Sequence, residues 1–164
     1  MKKFLKEARD YIIIIIAVLI IRTFIVTPAI VEGASMDTTL EDGQLVFINK
    51  FVYNINEIER FDIVVLNNEA DGDRIIKRII GLPNEVIEYN NNQLYINGEL
   101  IEQNYEVQNT EDFIVETKDN EYYVLGDNRT VSKDSRMLGN FKEKDIIGRV
   151  NFRLLPIKKF GSIE

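Results

Sequence analysis

EVIEYNNNQLYINGELIE, residues 85–102, alternates apolar and polar positions through three short runs. Val86, Ile87 and Tyr89 belong to the first, Leu94 and Ile96 to the second, Leu100 and Ile101 to the third. Asn90-Asn91-Asn92 and Asn97-Gly98 separate them. Asn-Gly between alternating runs is the strongest short-range hairpin signal, because both residues tolerate the positive φ of a tight two-residue turn. The stretch therefore predicts an antiparallel meander. The same chemistry extends outward, with strand-like runs at Gln44–Lys50, Asp62–Leu66, Arg74–Ile80, Glu121–Leu125 and Ile146–Leu154. Leu82-Pro83-Asn84 and Gly126-Asp127-Asn128 read as turns, and Asn104–Asp112 as a surface loop. No long amphipathic helix follows residue 32. The fold class expected is mainly β, one antiparallel domain built as a sandwich or a partly closed barrel.

Upstream the pattern changes. Lys2, Lys3, Lys6 and Arg9 precede an unbroken apolar run from Tyr11 to Ile21; Arg22 interrupts it and Thr23–Val31 resumes it. As a helix, 11–31 would cover about 31 Å, close to a bilayer core. Arg22 costs about 2.5–3.5 kcal/mol at mid-helix, and each Ile, Leu or Val returns about 0.3–0.6. The isoleucines offset it, and a helix starting nearer Ala8 lets Arg22 snorkel. Residues 1–10 are thus expected in the cytoplasm, 11–31 as a transmembrane helix with Pro28 as terminator, and 32–164 as an extracytoplasmic domain. A cleaved secretory signal, with a small-residue site at Val31-Glu32-Gly33, and a buried core helix are the competing readings.

Composition restricts the chemistry. Among 164 residues there is no histidine and no cysteine. That excludes Ser-His-Asp triads, cysteine nucleophiles, disulfides and His/Cys zinc sites. A general base must be a carboxylate, a tyrosine or a lysine with a shifted pKa. A net charge of −7 argues against nucleic acid as a partner.

Of the four serines, Ser162 is expected to fray near the terminus, and Ser132 and Ser135 lie in a polar loop. Ser35 follows Glu32-Gly33-Ala34, where small neighbours let another backbone approach; it also reads as a plain turn serine. Lys77 stands out among the lysines. A strand period of two puts it on one face between Ile75 and Ile79, with Arg74, Ile76 and Arg78 opposite. Burial there would lower its pKa, and Arg78 within reach would act in the same direction. The alternative is an edge lysine with its head in water.

Three blocks then resemble a known family, the bacterial type I signal peptidases, which are membrane-bound Ser-Lys endopeptidases. Gly33-Ala34-Ser35-Met36-Asp37-Thr38-Thr39-Leu40 is similar to the nucleophile motif, with Thr38 where the family has proline. Lys77-Arg78-Ile79-Ile80-Gly81-Leu82-Pro83 matches the lysine motif throughout. Gly126-Asp127-Asn128-Arg129-Thr130-Val131-Ser132-Lys133-Asp134-Ser135-Arg136 resembles the third. The resemblance implies Ser35 as nucleophile, Lys77 as general base, Ser132 hydrogen-bonded to the Lys77 amine, and a supporting Asp134–Arg136 ion pair. It implies exported preproteins as substrates and no metal or organic cofactor. Gly33 stands where some relatives carry an oxyanion-hole serine, which leaves the Ser35 N–H as donor. Proline at position 38 would fix φ, so its loss is expected to loosen the segment. Met36 and Leu40 either rest on the lipid surface or pack inside. A membrane-tethered, non-catalytic factor for surface-protein or pilus assembly, and a self-cleaving Ser-Lys repressor, are the other classes considered.

Overall fold

The computed structural model describes residues 9–16, 18, 26–69 and 71–163. Strands are β1 (Val26–Ile30), β2 (Leu45–Asn49), β3 (Ile63–Asn68), β4 (Asp73–Gly81), β5 (Val86–Asn90), β6 (Gln93–Ile96), β7 (Glu99–Ile101), β8 (Phe113–Glu116), β9 (Glu121–Leu125), β10 (Phe141–Lys142), β11 (Ile146–Leu155) and β12 (Gly161–Ser162). The larger sheet runs β1-β2-β11-β3-β4-β9-β10, with β12 paired to β11; the smaller runs β7-β6-β5-β8. Every strand pair is antiparallel.

Each run expected as a strand overlaps an observed strand, with ends differing by at most two residues. The meander of 85–102 becomes β5–β6–β7, and both tight turns use their asparagines as anticipated. Asn91 and Asn92 have φ of 50° and 62°, and Asn97 and Gly98 have 52° and 83°. Positive φ at both central residues matches the right-handed twist of the flanking strands. Alternation then buries Ile87, Tyr89, Leu94 and Ile96 against Ile80, Tyr123 and Leu125 of the larger sheet. A second cluster, around Val64, Leu66, Ile79 and Val124, lies along β3, β4 and β9.

Two expectations are corrected, and the alternative left open for Met36 and Leu40 is decided. Val26–Ile30, assigned to the end of the 11–31 helix, form β1 and pair with β2 in register from Val26↔Asn49 to Ile30↔Leu45. Pro28 therefore occupies an edge strand, where a missing N–H costs no ladder bond. Ser162 is not frayed: it lies in β12, opposite Phe152. Met36 and Leu40 are fully buried, in a third cluster with Val31, Val46, Ile48, Ile63, Val65 and Val150, so neither rests on lipid. Upstream, residues 9–16 and 18 are helical and exposed. Among the described residues no helix is long and apolar enough to cross a membrane. Residues 17 and 19–25 of the expected span lie outside them.

Candidate active site

Ser35 sits in the loop between β1 and β2, which is pinned at both ends. Val31 N–H donates to Gln44 O at 2.8 Å and Gly43 N–H to Val31 O at 2.9 Å, closing its neck. Gly33, at φ 84°, donates its N–H to Asp42 Oδ1 at 2.7 Å. Met36 and Leu40 plug the loop into the core, each contributing about 1.5–3 kcal/mol by burial. The Ser35 carbonyl accepts from Asn128 N–H at 3.1 Å, which ties the loop to the 126–136 segment.

Lys77 comes from β4, opposite Val64 of β3. Only 3% of it is exposed. Its Nζ donates to Ser35 Oγ at 2.8 Å and to Ile76 O at 2.9 Å. Burial lowers its pKa to about 8, against the opposing pull of the Asp134 and Asp127 carboxylates. The Ser35–Lys77 contact spans 42 residues of sequence, so only the tertiary fold makes it.

Arg78 does not contribute to that shift. It lies on the other face, buried, and its guanidinium grips Asp127 through Nε–Oδ1 at 2.9 Å and Nη2–Oδ2 at 2.8 Å. Thr39 Oγ1 donates to Asp127 Oδ2 at 2.6 Å, and Arg78 Nη1 donates to Phe61 O at 3.0 Å. One buried ion pair therefore joins β4, the Ser35 loop and the turn after β9. Residue types gave this pair no role in advance; both partners stand inside the quoted blocks, and that was the available signal. Arg129 was missed similarly. It is buried, donates to Gly126 O, Tyr89 Oη and Thr110 Oγ1, and so draws the 104–112 loop and the smaller sheet to the same turn.

The expected Asp134–Arg136 pair is present, with Nε–Oδ1 at 2.8 Å. Asp134 is fully buried, accepts from Gly126 N–H at 3.1 Å, and caps the short helix Ser135–Leu138. The expected bond from Ser132 to Lys77 is not made: Ser132 Oγ is buried and has no hydrogen-bond partner among the described residues. Ser132 is nonetheless adjacent to the Ser35 loop. A Cβ on Gly126 would collide with both Ser132 Oγ and the Ser35 carbonyl, so glycine there permits the close approach.

Thr38 is not a loosened proline site. It is the third residue of a turn closed by Thr39 N–H to Met36 O at 3.1 Å, and its φ is 87°. Proline cannot adopt that angle, and a β-branched residue there is strained. Thr38→Gly should therefore raise stability by about 1 kcal/mol and Thr38→Pro should lower it by more. Thermal unfolding of both variants checks this; a more stable Thr38→Pro would contradict the turn geometry.

Ser35 and Lys77 open onto a cleft of about 750 Å³, lined also by Thr27, Ala29, Val31 and Ile76. Among the described residues β1 pairs with β2, and β4 pairs with β9 from Arg78 onward. Residues 27–31 and 72–77 line the same cleft from its two sides.

The chain matches the family model described as "Signal peptidase, peptidase S26" over residues 4–155. It is 41% identical to signal peptidase I S of Bacillus subtilis, covering 96% of this chain and 92% of that one. It is 37% identical to signal peptidase IB of Staphylococcus aureus, covering 94% and 93%. A crystal structure of a signal peptidase I from Enterococcus faecalis superposes with a TM-score of 0.52 at 32% identity, over 58% of this chain and 97% of that one.

Proposed function

This chain belongs to the signal peptidase family, peptidase S26, and from that membership we propose that it is a membrane-bound serine endopeptidase removing signal peptides from exported preproteins, with Ser35 as nucleophile and Lys77 as general base. The observation that carries the assignment is the 2.8 Å contact between Ser35 Oγ and a buried lysine whose pKa lies at about 8. A neutral amine keeps one N–H on Ile76 O and turns its lone pair toward the serine hydroxyl.

Lys77 takes the Ser35 proton as Oγ bonds to the scissile carbonyl carbon. The oxyanion is held by the Ser35 N–H. The C–N bond breaks as the lysine ammonium protonates the departing amine, leaving an acyl-enzyme on Ser35. Lys77 then removes a proton from water, the resulting oxygen attacks the ester, and Oγ leaves with that proton. Ser132, Asp134 and Arg136 act indirectly, by fixing the 126–136 segment against the Ser35 loop.

The substrate lies extended in the cleft, as an added strand alongside β1 and β4. The apolar stretch ahead of Val26 anchors the chain in the membrane, with the N-terminus cytoplasmic and the β-domain outside. Enzyme and preprotein share one bilayer, which raises their effective concentration. The signal peptide enters from the end of the cleft where the anchor joins β1, which places the mature chain beyond Ser35.

Because the active form has a neutral Lys77, kcat/KM should rise with pH and level off above about 8. Below that value each pH unit costs about tenfold, since one proton blocks the base. A flat profile from pH 6 to 9, measured on one preprotein, would rule out the lysine base.

A further inference from the structure

A second cavity, of about 400 Å³, is walled by Tyr53, Leu82, Pro83 and Tyr122 and rimmed by Glu57 and Glu143. It shares no residue with the cleft that holds Ser35 and Lys77. Its floor is the cluster around Val64, Leu66, Ile79 and Val124, on which Tyr53 and Leu82 pack. Among the described residues no lysine or arginine lines it. Both carboxylates are exposed, and neither has an ion-pair or hydrogen-bond partner among the described residues. Tyr122 is only 7% exposed, yet its hydroxyl also has no hydrogen-bond partner among them. Buried hydroxyls are nearly always paired. Burial, and after it the Glu143 and Glu57 carboxylates, push this phenol's pKa up, so both rim charges act on the unpaired hydroxyl. A neutral phenol beside two carboxylates still offers an acceptor lone pair. The Tyr53 hydroxyl is occupied, donating to Asp62 Oδ2 at 2.8 Å, which leaves its ring.

From this combination we propose that the cavity is a binding site for a basic side chain, lysine or arginine, presented by another polypeptide. The cationic head sits between Glu57 and Glu143 and donates to Tyr122 Oη. Tyrosine rings attract a cation through their quadrupole. Leu82 and Pro83 cover the alkyl stem, the part of such a side chain that prefers apolar surface. Anionic ligands are repelled by the two unpaired carboxylates, and an inorganic cation makes no use of the apolar wall. The site does not depend on the peptidase reading. A partner held here leaves the cleft free, since the two share no residue.

The full chain in detergent micelles, labelled with 3-fluorotyrosine, reports on each of its seven tyrosines by fluorine NMR. Tyr53→Phe and Tyr122→Phe assign the two signals of interest. The titrants, at fixed ionic strength, are Nα-acetyl-lysine methylamide, its arginine counterpart, the neutral norleucine and citrulline counterparts, glycerophosphoethanolamine and magnesium chloride. The expected result is a saturable shift at residues 53 and 122 with the lysine or the arginine compound and none with the neutral pair. Glu57→Gln with Glu143→Gln should weaken that binding about fivefold or more, with the other tyrosine signals in place as the check on folding. Equal shifts with the neutral compounds, or unchanged affinity in the double variant, would overturn recognition of charge. Glycerophosphoethanolamine or magnesium binding as tightly as the lysine and arginine compounds, or more so, would assign the cavity to a lipid amine or an inorganic cation and overturns the proposal too. No shift with any titrant overturns it outright. None of these outcomes bears on Ser35 and Lys77.

Discussion

Replacing Lys77 with methionine is expected to reduce preprotein cleavage by roughly 10⁴-fold or more, the scale at which serine hydrolases lose activity when the base is removed. Methionine keeps the length of the side chain and removes the amine that touches Ser35 Oγ. Ser35→Ala should cause a loss of the same size. The double variant should be no worse than either single one, because base and nucleophile act as a unit. Stability separates this result from misfolding. A buried amine is unfavourable in its charged form, so Lys77→Met should unfold at or above the wild-type temperature near neutral pH. Cleavage within tenfold of wild type in either single variant would end the dyad assignment.

Asp127→Ala is expected to destabilise the protein by about 3–5 kcal/mol, the cost of stranding a buried guanidinium. Arg78 and Asp127 are 2% and 0% exposed, and neither has water to turn to. For a chain of this size the unfolding temperature should drop by roughly 10 °C or more. Asp127→Asn keeps acceptor capacity and should cost less, and its pH profile carries a second signature. The Asp127 charge holds the Lys77 pKa up, so its removal should move the midpoint of the rate profile to lower pH. An apolar pair, Arg78→Met with Asp127→Leu, should regain much of the stability lost by Asp127→Ala. A drop of less than about 2 °C for Asp127→Ala would show that the pair does not hold these three segments together.

The legibility of the fold followed the strength of local physics. β5–β7 alternate with period two and turn on asparagines, so residues 85–102 could be read without neighbours. β1 could not. Val26–Ile30 continue an apolar run, and what makes them a strand is β2, brought alongside by the Val31–Gln44 loop closure. Short β8 and β10 likewise depend on β5 and β9 for pairing.

The site divides in the same way. Ser35 and Lys77 were found from the absence of imidazole and thiol, the isoleucines beside Lys77, and motif resemblance. The periodicity also put Arg78 on the opposite face, but could not say that Asp127 waits there. Ser132 was expected on the Lys77 amine; the amine's bonds go to Ser35 Oγ and Ile76 O. Position 38 was read as a missing proline, yet its φ of 87° admits no proline.

The sequence alone determined an antiparallel β-domain, its hairpins, the shortage of usable bases and the residues able to replace them, because alternation, turn conformers and side-chain chemistry are properties of a few neighbouring residues. The tertiary structure decided that Ser35 and Lys77 meet, that Met36 and Leu40 plug the core, and that Arg78 belongs to Asp127. Each of those depends on desolvation and on contacts between segments tens of residues apart, which no local pattern encodes.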